Sequence, residues 1–422
     1  MQTAGLPLDE WLALLETYSP QEIDLGLERV QLLLQRMDLP QPDLVLHIAG
    51  TNGKGSSAAM LESLLRQSAL KVGCFTSPHI QRYNERIRVD GVEASDTQIV
   101  AAFEKIDALR GDLALTYFEF GTLAALAVFA EVEVDVAVLE IGMGGRLDAV
   151  NAVEPTASLI TNVSLDHCAW LGDDVASIAV EKAGVMRSGR PTVFAAPEMP
   201  NAIVESAESI GAKLIAANRD YQWSVNGDSW TWRGVSRSIE QLARPSLLGD
   251  IQIQNAAGVL TLLEQVGLDD LLNAATVNSA LGDLQLTGRA QLVGANWMVD
   301  VAHNAAAAEV MASVLATQAH GKHMIVVLGM LDDKDVAGVV APLAPYADVW
   351  IAVTADNPRA IPAKELARRV ANETDSACLI ADSVESAIES AEQMVGADDL
   401  ILATGSFYVV NGILAALGQH HG

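Results

Sequence analysis

The stretch LVLHIAGTNGKGSSAAMLESLL, residues 44–65, decides the architecture of this chain. Its first six residues are an apolar run closed by Gly50, the pattern of a strand buried in a parallel sheet. Beyond it Met60, Leu61, Leu64 and Leu65 recur at helical spacing, which predicts a helix over 56–70. Between strand and helix lie Gly50, Thr51, Asn52, Gly53, Lys54, Gly55 and Ser56. Glycines let the backbone bend tightly and turn its N–H groups onto phosphate oxygens at a helix start. Lys54 can reach outer phosphates and Ser56 can serve Mg²⁺. The usual eight-residue phosphate-loop spacing is not met, because Gly55 intervenes between Lys54 and Ser56 and the leading gap is shorter. The plainer reading is a glycine-rich turn carrying an exposed lysine. By itself the turn points to nucleotide binding and leaves the reaction open.

Outward from that turn the pattern alternates. Strands are expected at 134–140, 157–163 and 192–195, with helices at 174–187 and 201–210, as in a largely parallel sheet with covering helices. Around Asn226-Gly227 the period changes to two, a hairpin signal. A second block begins near Arg289, with strands at 297–301, 324–328, 349–353 and 400–403. The polar stretch 282–288 is the expected boundary, giving domains 1–287 and 288–422. A chain of 422 residues has room for this, since single cores rarely grow past roughly 250–300 residues.

Charge narrows the partners. With 26 Lys and Arg against 54 Asp and Glu, the net charge of -28 argues against nucleic acid or an anionic membrane surface as partner. A basic pocket for a small polyanion remains compatible with it. Three scattered cysteines form no disulfide framework and suit a reducing compartment. The first twenty residues lack a basic region followed by an unbroken apolar run, and the most apolar segment, 121–130, is too short to span a bilayer. A cytoplasmic protein is expected.

Several further segments stand in order: HIAGTNGKGS (47–56), FTSPHI (75–80), NERI (84–87), TYFEF (116–120) and LEIGMGGRLDAVN (139–151). SLDHCAWLG (164–172), EKAGV (181–185), GR (288–289) and DVAHN (300–304) follow. Together they closely resemble the folylpolyglutamate synthase family of the Mur-ligase superfamily, more narrowly its bifunctional bacterial dihydrofolate synthase/folylpolyglutamate synthase members. The resemblance implies an α/β chain with an N-terminal P-loop ATPase-like domain, built on a parallel-rich sheet, and a smaller C-terminal Rossmann-like α/β domain. It implies an amide ligase using ATP and Mg²⁺, which phosphorylates a carboxylate and then expels phosphate with the amine of L-glutamate. The acceptors it implies are dihydropteroate and reduced folates, and it favours a monomer.

The resemblance also assigns roles. Ser56, Ser77, Glu140 and His167 would serve the metal, and Lys182 would carry a carbamate helping to hold a second Mg²⁺. Arg289 would meet the ATP phosphates, Asp300 the ribose and Asn255 the adenine, with His303 close to the reacting groups. Read without it, His167 is a packed or surface histidine, Asn255 a helix cap, and Lys182 a lysine that caps a helix or pairs with Glu181. Phe118 is a candidate aromatic contact for the acceptor or a core residue, and Arg82 a candidate for a substrate carboxylate. Arg86 and Arg88 read equally as surface or salt-bridge residues, and Arg146 as an anion site or a salt bridge. The chain departs from the family pattern at Met143, Val150, Ile251 and Ala305, where leucine, threonine, histidine and proline are common.

Overall fold

The computed structural model describes residues 5–19 and 23–420. The chain divides into two compact units, Met1–Pro245 with Ile253–Leu284, and Ser246–Gln252 with Gln285–Gly422.

The first unit is built on eight strands: β1 (Leu44–Ala49), β2 (Val72–Phe75), β3 (Ile87–Val89), β4 (Val92–Glu93), β5 (Val136–Glu140), β6 (Ala157–Ile160), β7 (Pro191–Phe194) and β8 (Lys213–Ala216). Their order is β4-β3-β2-β5-β1-β6-β7-β8, parallel from β2 to β8 with β3 and β4 antiparallel at one edge. Every residue of β5 is buried, which explains its unbroken apolar sequence. The hairpin expected at Asn226-Gly227 pairs β9 (Gln222–Asn226) with β10 (Ser229–Arg233), and β11 (Ser238–Ala243) completes a small antiparallel sheet.

Several expected elements are shorter in the structure, each for a local reason. The helix expected over 56–70 is Lys54–Leu65, so the glycine-rich turn itself starts it. The helix expected over 174–187 is Val175–Ala183, ending where Gly184 passes against the Arg146 backbone. The strand expected over 157–163 stops at Ile160, because Thr161 and Asn162 turn to hold the glycine-rich loop.

The second unit is a six-stranded sheet of β12 (Gln291–Val293), β13 (Trp297–Val299), β14 (Met324–Leu328), β15 (Val349–Val353), β16 (Ala377–Ala381) and β17 (Leu400–Thr404). Its order is β12-β13-β17-β14-β15-β16, with only β12 antiparallel. Met298, Val326, Leu328, Trp350 and Leu402 pack in its own core. The α/β class, with a large parallel-rich sheet and a smaller Rossmann-like unit, is as expected.

Candidate active site

The ends of β1, β5 and β6 face the same turn. Gly50 leaves β1 at φ 142°, and a β-carbon there would run into Thr161 Oγ1. Thr161 Oγ1 donates to the Asn52 carbonyl at 2.6 Å, and the Asn162 amide donates to the same oxygen at 3.1 Å. Asn162 in turn accepts from the Thr51 and Asn52 N–H groups at 3.1 and 3.0 Å. The loop is therefore held from below by the chain leaving β6, with its curvature fixed in advance.

Gly53, at φ 84°, lies against the buried side chain of Asn255, whose Oδ1 would stand 2.9 Å from an added β-carbon. Asn255 is in the second turn of the helix Ile251–Gln265, so the helix-cap reading fails. Lys54 Nζ donates to the Gly50 and Thr51 carbonyls at 3.1 and 3.2 Å. Gly55 follows it in the first turn, where Ser56 is buried.

A small pocket opens on this loop, lined by Gly50, Lys54, Met143, Asp166, His167 and Lys182. Lys182 is 3% exposed in the last turn of its helix. Burial, and then the charge of Lys54, lower its ammonium to about 7, while Asp166 and Asp148 oppose the shift. Asp148 is also buried and accepts from the Met143 and Val150 N–H groups at 2.8 and 3.0 Å. Burial pushes its carboxyl up to about 7 despite those bonds and Lys54. Glycine shapes this wall: a β-carbon on Gly145 would lie 2.7 Å from the Glu181 carbonyl and 3.2 Å from Lys182 Cα. Arg146 resolves to a salt bridge, its guanidinium 2.8 Å from Glu181.

Glu140 is buried at the end of β5, and its Oε2 accepts from the Ser77 N–H at 3.1 Å. Two expected metal residues are thus neighbours. His167 is exposed at φ 52°, with its N–H donating to Asp166 Oδ1 at 2.8 Å. Among the described residues no three His, Cys, Asp or Glu side chains group to hold a metal. The Ser56 hydroxyl and the Glu140 carboxylate nevertheless fit Mg²⁺, which takes few protein oxygens and completes its shell with phosphate and water.

The acceptor-side residues separate. TYFEF forms a capping box: Thr116 Oγ1 accepts from Glu119 N at 3.2 Å, and Glu119 accepts from Thr116 N at 2.7 Å. This sets half-buried Phe118 in the first turn, its ring against Gly142 and 6.0 Å from Phe75. Arg82 instead is 65% exposed, 3.6 Å from Glu93 and 3.9 Å from Asp96.

In the second unit Arg289, His303 and Phe407 come together, the guanidinium 5.5 Å and the imidazole 5.9 Å from the Phe407 ring. Asp300 is half-buried and accepts from the Ala290 and Ala302 N–H groups, both at 2.7 Å. Burial raises its carboxyl above the usual range, with Arg289 opposing. Sequence reasoning missed Thr161, Asn162, Asp148 and Phe407. The polar run TNVS directly after the apolar ASLI was a usable signal for the first two; Phe407 offered none.

Two family models match, the Mur ligase middle domain over residues 48–263 and the Mur ligase glutamate ligase domain over 288–407. The chain is 38% identical to the dihydrofolate synthase/folylpolyglutamate synthase of Escherichia coli K12, covering 98% of this chain and 96% of that one. The protein of the same name from Haemophilus influenzae is 34% identical, covering 96% and 97%. Among solved structures, E. coli FolC in complex with DHPP and ADP superposes with a TM-score of 0.94 at 37% identity, with both chains fully covered. The bifunctional folylpolyglutamate synthase/dihydrofolate synthase of Yersinia pestis, complexed with AMPPNP and Mn, gives 0.91 at 39% identity over 99% of each chain. A protein of that name with Mn, AMPPNP and L-glutamate bound also gives 0.91, at 38% identity over 99% of each chain. Glycine-rich loop, buried lysine pocket and whole-chain similarity agree: the chain belongs to the dihydrofolate synthase/folylpolyglutamate synthase family of the Mur-ligase superfamily.

Proposed function

We propose that this protein is an ATP-dependent amide ligase that adds L-glutamate to dihydropteroate and to the γ-carboxylate of reduced folates. A carboxylate is a poor electrophile at neutral pH, so its oxygen first takes the γ-phosphoryl group of ATP, releasing ADP. The glutamate amine then attacks the acyl carbon, the acyl–oxygen bond breaks, phosphate leaves, and the amine gives up a proton. Proximity and exclusion of water are what this chemistry demands of the protein.

The observation that carries the reading is the phosphate loop sharing one small pocket with a buried lysine. In this reading Gly50, Thr51, Asn52, Gly53, Gly55 and Ser56 shape the loop that receives phosphate, with the Thr51 and Asn52 N–H groups held by Asn162, the helix-start N–H groups turned to the anion, and Lys54 stabilising charge developing there. A divalent metal, when bound, would neutralise crowded phosphate charge; Ser56, Ser77, Glu140 and His167 are the residues to hold it. The Lys182 amine, neutral above about 7, adds to CO₂ and loses a proton, giving an anionic carbamate whose oxygens suit a second metal. Asn255, Arg289 and Asp300 are the remaining nucleotide residues, His303 serves the reacting groups, and Phe118, with Arg82 at the rim, serves the acceptor. Residues 1–287 would form the ATP-binding and catalytic domain and 288–422 the C-terminal ligase domain, in a cytoplasmic monomer with no nucleic acid or membrane partner. No helix among the described residues is long and apolar enough to cross a membrane.

Purified protein incubated with ATP, Mg²⁺, labelled glutamate and each acceptor tests the reading. Labelled dihydrofolate and a diglutamyl folate are the expected products. Dihydrofolate alone would remove the second activity, and no product from either acceptor would remove both.

A further inference from the structure

The segment Asn84-Glu85-Arg86-Ile87-Arg88 carries four polar side chains, and the structure gives three of them bonding partners that account for them. The Asn84 amide donates to the Ala94 carbonyl and to Asp96 Oδ1, both at 2.8 Å. The Glu85 carboxylate accepts from three backbone N–H groups, those of Ile80, Gln81 and Arg82, at 2.7–2.8 Å. Arg88 forms a part-buried pair with Glu62 at 2.8 Å. These residues fold the loop.

Arg86 is different. It is 8% exposed, and among the described residues no carboxylate pairs with it. Its guanidinium lies 5.2 Å from the Tyr83 ring centre and 5.4 Å from that of Tyr117. Its Nε donates to His79 Nδ1 at 2.8 Å, which fixes the imidazole with its proton on Nε2. A desolvated cation with no counter-ion is costly, and two aromatic faces offset only part of that cost. The guanidinium ends and the His79 Nε2–H are all donors, a set that calls for a flat anion such as a carboxylate.

The location selects which carboxylate. The Arg86 carbonyl accepts from the Thr76 N–H at 2.9 Å, and the next residue, Ser77, donates to Glu140. Tyr117 directly precedes Phe118, whose ring lies on Gly142 of the pocket wall. Through Thr76 and Tyr117, Arg86 is thus tied to the segments that carry Ser77 and Phe118, the latter against Gly142 in the lining of the small pocket. We propose that Arg86, oriented by His79, binds the non-reacting α-carboxylate of a glutamyl folate acceptor. This rests on the two-acceptor reading above. Dihydropteroate has a single carboxylate, the one that reacts, so it has nothing to offer Arg86. The residue thereby distinguishes the two activities of one site.

The test compares wild type, Arg86→Gln and Arg86→Lys by initial rates on dihydropteroate and on tetrahydrofolate monoglutamate, with glutamate varied. In Arg86→Gln, kcat/KM for the monoglutamate acceptor should fall about 10- to 100-fold, through KM, the scale of a lost charge-assisted hydrogen bond. The ratio of the two kcat/KM values should shift by nearly the same factor towards dihydropteroate. Arg86→Lys, keeping charge without the fork, should fall between, and it carries the test if the glutamine variant fails to fold. Equal losses on both acceptors would overturn the proposal and make Arg86 a structural bracket. A raised KM for L-glutamate with both acceptors would overturn it in favour of the donor. A wild type that extends dihydropteroate but not the monoglutamate also overturns it, through the reading on which it rests.

Discussion

Two lysines line one pocket in different surroundings, and the proposed reading gives them different tasks. Lys54 sits on loop carbonyls at the start of a helix, and on the proposed reading it exchanges them for phosphate oxygens. Lys54→Ala should keep the fold and lower kcat by about 100- to 1000-fold, as loss of an electrostatic donor does; near-normal turnover by a folded variant would reject the assignment. Lys182 is held near neutrality by burial and by Lys54. Its amine is protonated below about 7 and neutral above, so carbamate formation, and bicarbonate stimulation of CO₂-depleted enzyme, should rise with pH through about 7. Lys182→Ala should bind nucleotide yet turn over slowly, and a rate profile flat across that range would argue against the carbamate. The residue types around Lys54 declared themselves in the glycine-rich motif. Lys182 was legible only through resemblance, because burial and a facing cation are properties of the folded chain. Asp148 and Phe407 were not legible at all.

Backbone meets backbone closely where the turn after β5 crosses the end of the helix Val175–Ala183. Gly145 faces the Glu181 and Lys182 backbone there, and Gly184 faces Arg146. Backbone cannot yield as a flexible side chain does, so Gly145→Ala should cost about 1–3 kcal/mol. A lower urea midpoint at unchanged m-value checks this, with activity falling further because Lys182 lies on the displaced turn. An unchanged midpoint would mean the junction is looser than the distances state. Strands and long helices were largely readable because apolar runs and helical spacing report burial. Element ends were not, since the stops at Ile160 and Ala183 are set by tertiary partners: the phosphate loop in one case, Arg146 in the other. Nor did the edge strands β3 and β4 announce themselves, being three and two residues long.

At the scale of the molecule, a parallel-rich sheet carries the phosphate loop and a smaller sheet gathers Arg289, Asp300 and His303. The order of motifs along the chain made both units legible, whereas the short segment 246–252, grouped with the second unit, lies far in sequence from the rest of it. The central claim is that ATP activates the acceptor's own carboxylate. Dihydropteroate labelled with ¹⁸O in its carboxylate, incubated with the enzyme, ATP, Mg²⁺ and L-glutamate, tests it most directly. An acyl phosphate requires one carboxylate oxygen to leave with each phosphate, so mass spectrometry should find ¹⁸O in the released phosphate in step with amide formed. Amide formed with unlabelled phosphate would contradict the account.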